Sequence, residues 1–250
     1  MSSQPWHERW VHPKDSVVII SGAGLATALL AAKQGYQVAA WDISEAGISR
    51  TQEAAGPLVK KIHPIICDIG DENAVKEAMQ RTTKIGKHHM LVNNASPVAT
   101  GKTAGIMDMM MDAAMKMIHY VTTAFLETNP ETGLRIVNIS SRVGPIFGGG
   151  GSRYAAAKAA IAALSRSLLV ELKGYSRVNT VAPGGPVRAS RNATFIDQGV
   201  FAKILNRNHP TGRPGLPEAF VNGIMFLLSP AASYVNGHLL AIDGGPSIAE

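Results

Sequence analysis

The chain has little of what small or exported proteins use to hold themselves together. Its one cysteine, Cys67, excludes a disulfide framework and any cysteine-based zinc site, and a lone thiol suits a reducing, cytoplasmic setting. No run of 18 apolar residues occurs, the length a membrane-spanning helix needs. Residues 1–16 are polar (Gln4, His7, Glu8, Arg9, Lys14 and Asp15) and carry no apolar signal core; they read as an extension preceding a domain over residues 17–250. Aromatic residues are 6% and charged residues 17% of the chain. The net charge is +6, yet the longest pure Lys/Arg run is Lys60-Lys61. Nucleic-acid-binding proteins concentrate their charge, so this scatter points away from nucleic acid, and the charge either suits an anionic small-molecule partner or carries no meaning. Linkers, low-complexity tracts and internal repeats are absent, which leaves one domain.

What is present is alternation. β-rich runs at Ser16–Ser21, Tyr36–Trp41, Lys61–Cys67, Met90–Asn93, Arg135–Ser140, Arg177–Ala182 and His238–Ile242 are separated by stretches of helical composition. Those stretches are Leu25–Gln34, Ser44–Ala54, Glu72–Thr82, Gly105–Leu126, Ser152–Leu172 and Pro217–Leu228. The pattern predicts an α/β fold: a single doubly wound Rossmann domain with a parallel sheet of about seven strands and helices on both faces. The runs are apolar on both faces, as Val17-Val18-Ile19-Ile20 shows, which is the mark of strands covered on both sides. Pro64 has no N–H for a ladder, so its strand belongs at the sheet edge.

Ser21-Gly22-Ala23-Gly24 follows the first strand and opens a helix. Glycines there let the backbone approach a pyrophosphate, while the helix N-terminus offers it free N–H groups. Asp42 stands twenty residues after Gly22, at the end of the second strand, where a carboxylate accepts hydrogen bonds from ribose hydroxyls. Its charge would repel the 2′-phosphate of NADP, and neither 21–27 nor 40–48 holds a Lys or Arg to receive one. NAD is the expected cofactor, with NADP the less favoured choice. The competing reading makes Asp42 simply the N-cap of the next helix.

Tyr154 and Lys158 are four apart in the most helical segment, which puts them on one face. A free tyrosine titrates near pH 10, and a neighbouring ammonium lowers that value toward the working range. Ser141 lies thirteen residues before Tyr154, at the end of the fifth strand, and ligands bind at the carboxyl ends of strands in open α/β sheets.

With these residues in place, the sequence resembles the short-chain dehydrogenase/reductase family from about Val17 to Gly245. The likeness rests on Asp68, Asn93-Asn94-Ala95, Ile136-Val137-Asn138-Ile139-Ser140-Ser141, Tyr154-Ala-Ala-Ala-Lys158 and Val178-Asn179-Thr180-Val181-Ala182-Pro183-Gly184. Gly212-Arg213-Pro214-Gly215-Leu216-Pro217-Glu218 and Asp243-Gly244-Gly245 extend it to the C-terminus. The resemblance implies that Tyr154 is the general acid/base, that Ser141 holds the substrate oxygen, and that Lys158 tunes Tyr154 and binds the nicotinamide ribose. It likewise implies a cofactor site of Ser21, Gly22, Gly24, Asp42, Asp68, Asn93 and Ala95, with Tyr154 and Lys158 contributing and the backbone of Pro183, Gly184 and Val187 facing the carboxamide. The reaction implied is the interconversion of a secondary alcohol and a ketone. An NADP-dependent 3-oxoacyl-type ketoreductase and a nucleotide-binding scaffold that has lost catalysis are the alternatives. No metal ligand set is expected.

Three positions depart from the family pattern. The phosphate loop is about four residues shorter than the family's usual length, Ser96 replaces a glycine, and Ala114 stands where a relay asparagine is usual. The short loop predicts weaker NAD binding than a longer one would give. His88-His89 reads as a surface turn, and the six methionines between Met107 and Met117 read as adaptable packing between helices or subunits. The sequon at Asn192 comes with no secretory signal. Seven alanines between Ala155 and Ala163 allow close helix approach, and with the resemblance they imply a homodimer or homotetramer.

Overall fold

The alternation of side-chain direction along the first strand organises the molecule. In the computed structural model, which describes residues 16–22, 24–95, 106–128, 133–146, 148, 151–172, 176–184, 210–211 and 215–249, β1 (Val17–Ser21) is buried along its whole length. Successive side chains leave a strand on opposite faces. Val18 and Ile20 therefore enter one core with Ala28, Ala31 and Ala32 of α1 (Leu25–Lys33) and with Val221, Ile224 and Leu228 of α6 (Pro217–Leu228). Val17 and Ile19 enter the other, with Val75 and Met79 of α3 (Glu72–Thr83) and Val121 and Phe125 of α4 (Ile106–Glu127). Two cores, one per face, explain why β1 is apolar on both faces.

The remaining strands are β2 (Gln37–Asp42), β3 (Ile62–Ile66), β4 (His88–Asn93), β5 (Leu134–Ile139), β6 (Ser176–Pro183) and β7 (Leu239–Ile242). All pair in parallel, in the order β3-β2-β1-β4-β5-β6-β7. Pro64 lies in β3, an outer strand, as its missing N–H requires. The predicted helices form within a residue or two of their expected bounds. Ser44 caps α2 (Glu45–Ala55) by accepting from Gly47 N at 3.1 Å. Asp71 caps α3 by accepting from Asn73 N and Ala74 N. α5 (Ser152–Glu171) and the short α7 (Pro246–Ala249) complete the helices described, with 3-10 turns at Gly56–Lys61 and Pro230–Ala232. The polar N-terminal extension lies outside the described residues, apart from its last residue, Ser16.

One sequence expectation is overturned. His88 and His89 are not in a surface turn but begin β4, two residues before the predicted strand start. His88 is buried at 3% exposure. Its Nε2 lies 3.0 Å from Thr128 Oγ1 and its ring packs on Phe125. Burial lowers its pKa, so the ring is a neutral packing group.

A second feature has no apolar pattern to announce it. Arg135 of β5 and Arg177 of β6 are register partners, and both are buried. Arg135 Nη1 donates to Leu228 O at 3.1 Å. Arg177 donates to Leu227 O at 2.7 Å, Val235 O at 3.3 Å and Ser229 O at 3.1 Å. Positive charge thus meets the orphan carbonyls at the C-terminus of α6. Burial and the neighbouring Arg177 push Arg135 down to about 9, and burial pushes Arg177 to about 10; both stay protonated at neutral pH. Hydrogen bonds to a charged group are worth about 1.5–3 kcal/mol each, and bare carbonyls would remain. Arg177→Met is expected to lower stability by about 3 kcal/mol, read as a fall in the urea unfolding midpoint at unchanged slope.

Candidate active site

The carboxyl ends of β1, β2 and β3 are drawn together by backbone bonds. Gly22 N donates to Trp41 O at 2.7 Å, and Cys67 N donates to Asp42 O at 3.0 Å. Gly22, Asp42 and Asp68 therefore lie in sequence across three adjacent strand ends. Gly22 has φ +78°, and a Cβ there would stand 2.5 Å from Ala95 Cα. Only glycine suits both conditions. Three residues, Gly22 to Gly24, separate β1 from α1. Gly24 is the N-cap of α1 and provides no side-chain cap, so the N–H groups of the first turn, which a helix leaves without intrahelical partners, receive none from it.

Asp42 is not a helix cap, since Ser44 holds that position. Asp42 Oδ1 accepts from Ser44 N at 2.8 Å, and its half-buried carboxylate stays at the strand tip. Asp68 is exposed and accepts from Gly70 N at 2.9 Å. Beside it, burial first and then Asp68 and Asp71 push the Cys67 thiol up to about 12, which makes that cysteine inert.

On the other side of β1, Ser21 Oγ accepts from Asn94 N at 3.2 Å and Ala95 N at 3.4 Å. Asn94 Nδ2 returns a bond to Gly22 O at 3.2 Å. The side chain of Asn94 thus shapes the floor of the crevice, a role not assigned from the sequence, although the Asn93-Asn94-Ala95 motif was visible. Asn93 points elsewhere. Its Nδ2 donates to Asn138 Oδ1 at 2.8 Å, and Asn138 Nδ2 donates to Ser165 Oγ at 2.9 Å. This buried chain joins β4, β5 and α5, so Asn93 supports the wall rather than lining it.

α5 brings Tyr154 and Lys158 to the end of β5. Lys158 is buried at 6% exposure, and its Nζ donates to Ile139 O at 3.1 Å. The same Nζ lies 5.9 Å from the centroid of the half-buried Tyr154 ring. Ser140 Oγ donates to Lys158 O at 2.6 Å. Ser141, buried, accepts from Val143 N at 3.1 Å. Gly144 has φ +106°, and a Cβ there would run into Ala155 O. The turn after Ser141 therefore presses directly on the first turn of α5, next to Tyr154.

Beyond β5, Arg142 N donates to Pro183 O and Gly184 N donates to Ile242 O. A Cβ on Gly184 would meet Arg142 Cδ at 2.8 Å and would overlap Asp243. Burial alone would raise the pKa of Asp243, but bonds from Ser247 and Gly245 N and the charge of Arg142 outweigh it and hold it low. Val187, Ala23 and Ser96 lie outside the described residues, as do the side chain of Ala114 and most of the methionine cluster. Met115 packs against Ile118 and Ile161, between α4 and α5. Among the described residues no cluster of three or more His, Cys, Asp or Glu could hold a metal, and no helix is long and apolar enough to cross a membrane.

A family profile described as enoyl-(acyl carrier protein) reductase matches residues 19–247. The 3-oxoacyl-[acyl-carrier-protein] reductase FabG of Thermotoga maritima is 32% identical over 239 residues, covering 90% of this chain and 93% of that protein. The cis-4-hydroxycyclohexanecarboxylate dehydrogenase of Sinomonas cyclohexanicum is 34% identical over 240 residues, covering 90% and 92%. The crystal structure of levodione reductase superposes with a TM-score of 0.82 at 27% identity, covering 96% of this chain and 100% of that one. The chain belongs to the short-chain dehydrogenase/reductase family and is an NAD(P)-dependent oxidoreductase.

Proposed function

We propose that the chain interconverts a secondary alcohol and a ketone with NAD(H) as its cofactor. The observation that carries this reading is the Tyr154–Lys158 pair on one face of α5, with Nζ 5.9 Å from the ring centroid and anchored on Ile139 O at the end of β5. Tyr154 gives a proton to the substrate oxygen in reduction and takes it back in oxidation. Ser141 Oγ already accepts from Val143 N–H, so its own hydrogen is left to donate to that same oxygen. Lys158 brings its ammonium to the face of the Tyr154 ring.

The donor set fits a dinucleotide. Gly22 leaves the close approach that a Cβ would fill, and the uncapped first turn of α1 offers N–H groups to an anion. Asp42, with one carboxylate oxygen held by Ser44 N, is preset to accept ribose hydroxyls. Asp68 would meet the adenine. Lys158 and the backbone of Pro183, Gly184 and Val187 would hold the nicotinamide half. When bound, the nicotinamide supplies the hydride chemistry. The enoyl reductase branch spaces its tyrosine and lysine more widely than Tyr154 and Lys158, so carbonyl reduction is the better reading of the pair.

The similarity to a protein named as a 3-oxoacyl-[acyl-carrier-protein] reductase favours a second reading, an NADP-dependent 3-oxoacyl-type ketoreductase. Cofactor choice separates the two. Calorimetric titration is expected to show tighter binding of NADH than NADPH. Asp42→Ala should narrow that preference by about tenfold, the equivalent of 1.4 kcal/mol. Tighter NADPH binding to the unaltered protein would establish the second reading instead.

Two further outcomes follow from the same reading. Tyr154→Phe should cut kcat by about 10²–10⁴-fold, as removal of a general acid–base does, while circular dichroism and cofactor titration stay close to those of the parent. A variant with a large share of its turnover left would remove Tyr154 from the mechanism. The outer face of α5 exposes Ala163, Arg166, Ser167 and Val170 around a shallow concavity, with Val170 at 70% exposure. We read it as the contact of a homodimer or homotetramer. Light scattering at micromolar concentration should give a mass of at least two chains.

A further inference from the structure

We propose that Ser140, the residue before the expected catalytic serine, is a positioning residue that fixes Lys158 by holding the backbone of α5. The inference rests on the reading of Lys158 given above and extends it to a side chain with no role in proton transfer.

α5 is held by apolar packing on α4 and by the Gly144 turn against Ala155, and its ties to β5 are polar. Its N-cap, Gly151, offers no side-chain cap bond. Between Lys158 and Ser165 it buries Ile161, which packs against Ile118 of α4, and Ala162, whose methyl group does little to key the helix against a strand. The polar contacts are different. Lys158 and Ser165 are seven residues apart, two helical turns, so they share one face. Both are bound to β5 or the residue following it. Ser165 Oγ accepts from Asn138 Nδ2 and donates to Ile161 O. Lys158 is held twice: Ser140 Oγ donates to its carbonyl at 2.6 Å, and its Nζ donates to Ile139 O at 3.1 Å. Strand residues 138 to 140 thus meet helix residues 165 to 158 in reverse order, as a helix running antiparallel to its strand requires.

Of these bonds, only the one from Ser140 fixes the Lys158 backbone. The ammonium reaches Ile139 O along a flexible four-carbon stem, so its contact alone leaves the helix free to shift. A hydroxyl buried at 4% exposure and bonded to the Lys158 carbonyl sets where the stem begins, and Tyr154 lies one turn earlier on the same helix. Removing that hydroxyl moves the origin of both side chains relative to Ser141, which is fixed separately through Val143 N.

The test compares Ser140→Ala, Ser140→Thr and Ser165→Ala in the full chain. Ser140→Ala is expected to lower kcat about tenfold at saturating alcohol and NAD, which corresponds to about 1.4 kcal/mol in the barrier. Ser140→Thr, which keeps the hydroxyl, should recover most of it. Ser165→Ala also removes a buried bond between α5 and β5, but two turns away. It should lower the unfolding temperature as much as Ser140→Ala while keeping kcat. Equal losses of kcat in Ser140→Ala and Ser165→Ala would overturn the proposal, as would failure of threonine to rescue. Crystal structures of the parent and Ser140→Ala decide the point without turnover. The Lys158 Nζ to Ile139 O contact should lengthen or break in the variant, and an unchanged contact with α5 in place would overturn the proposal even in an active enzyme. Should Ser140→Ala not fold, Ser140→Cys, a much weaker donor, is read in the same way. Absence of turnover in the parent with every alcohol and ketone tried would count against the proposed function and leave the crystallographic comparison to judge Ser140.

Discussion

The hydroxyl of Ser21 sits where the sheet changes direction. In the order β3-β2-β1-β4 the chain winds outward one way up to β3 and then crosses back to β4, so the connections leaving β1 and β4 part and open a crevice. Ser21 Oγ takes the N–H groups of both Asn94 and Ala95, and Asn94 closes the loop on Gly22 O. Those bonds hold the two strand ends so close that Gly22 has no room for a side chain. The gap is narrow at its floor and bounded by the exposed end of α1. Asp42 and Asp68 on one side, and Lys158 and Tyr154 on the other, take their places relative to that floor. Loosening it would disturb both sides of the crevice at once.

The chemistry of the two halves differs in kind. On the β1–β3 side the groups are backbone N–H donors and two carboxylates, suited to binding and to choosing between cofactors. On the β5–α5 side they are a phenol, an ammonium and a hydroxyl, suited to moving one proton. The second set is the more deeply anchored. Lys158 and Ser141 are nearly inaccessible, whereas Asp68 is exposed. A group whose position must be accurate to a fraction of an ångström benefits from surroundings that admit few alternatives, while a group that only accepts hydrogen bonds from a bound sugar or base does not need them.

Most of the fold was legible because the sequence repeats one physical statement. Each strand is apolar at consecutive positions and each helix follows with its own period, so the boundaries of α3, α5 and α6 could be read almost to the residue. Pro64 located a sheet edge through a single missing N–H. Of the residues of the proposed site, Tyr154, Lys158, Ser141 and Asp42 stand out in the sequence because their spacing is local or their place at a strand end is. The residues that escaped notice have partners distant in sequence. Arg135 meets Leu228 across 93 residues, and Asn94 meets Gly22 across 72; no periodicity encodes such pairs. His88 was misread for a related reason. Two adjacent histidines look like surface polarity until Thr128 and Phe125, some forty residues away, supply the burial and the bond that let one of them start a strand.

The arginine pair lies at the opposite end of the strands from the crevice. Arg135 and Arg177 fasten the far end of α6 to the amino ends of β5 and β6, while Gly184 N ties the carboxyl end of β6 to Ile242 of β7. Both ties are made by groups of the strands and helices themselves, and Thr211 N adds a third by donating to Gly244 O after β7. A scaffold fastened in this way can vary its loops without moving its strand ends, which is the condition under which one fold comes to serve many substrates.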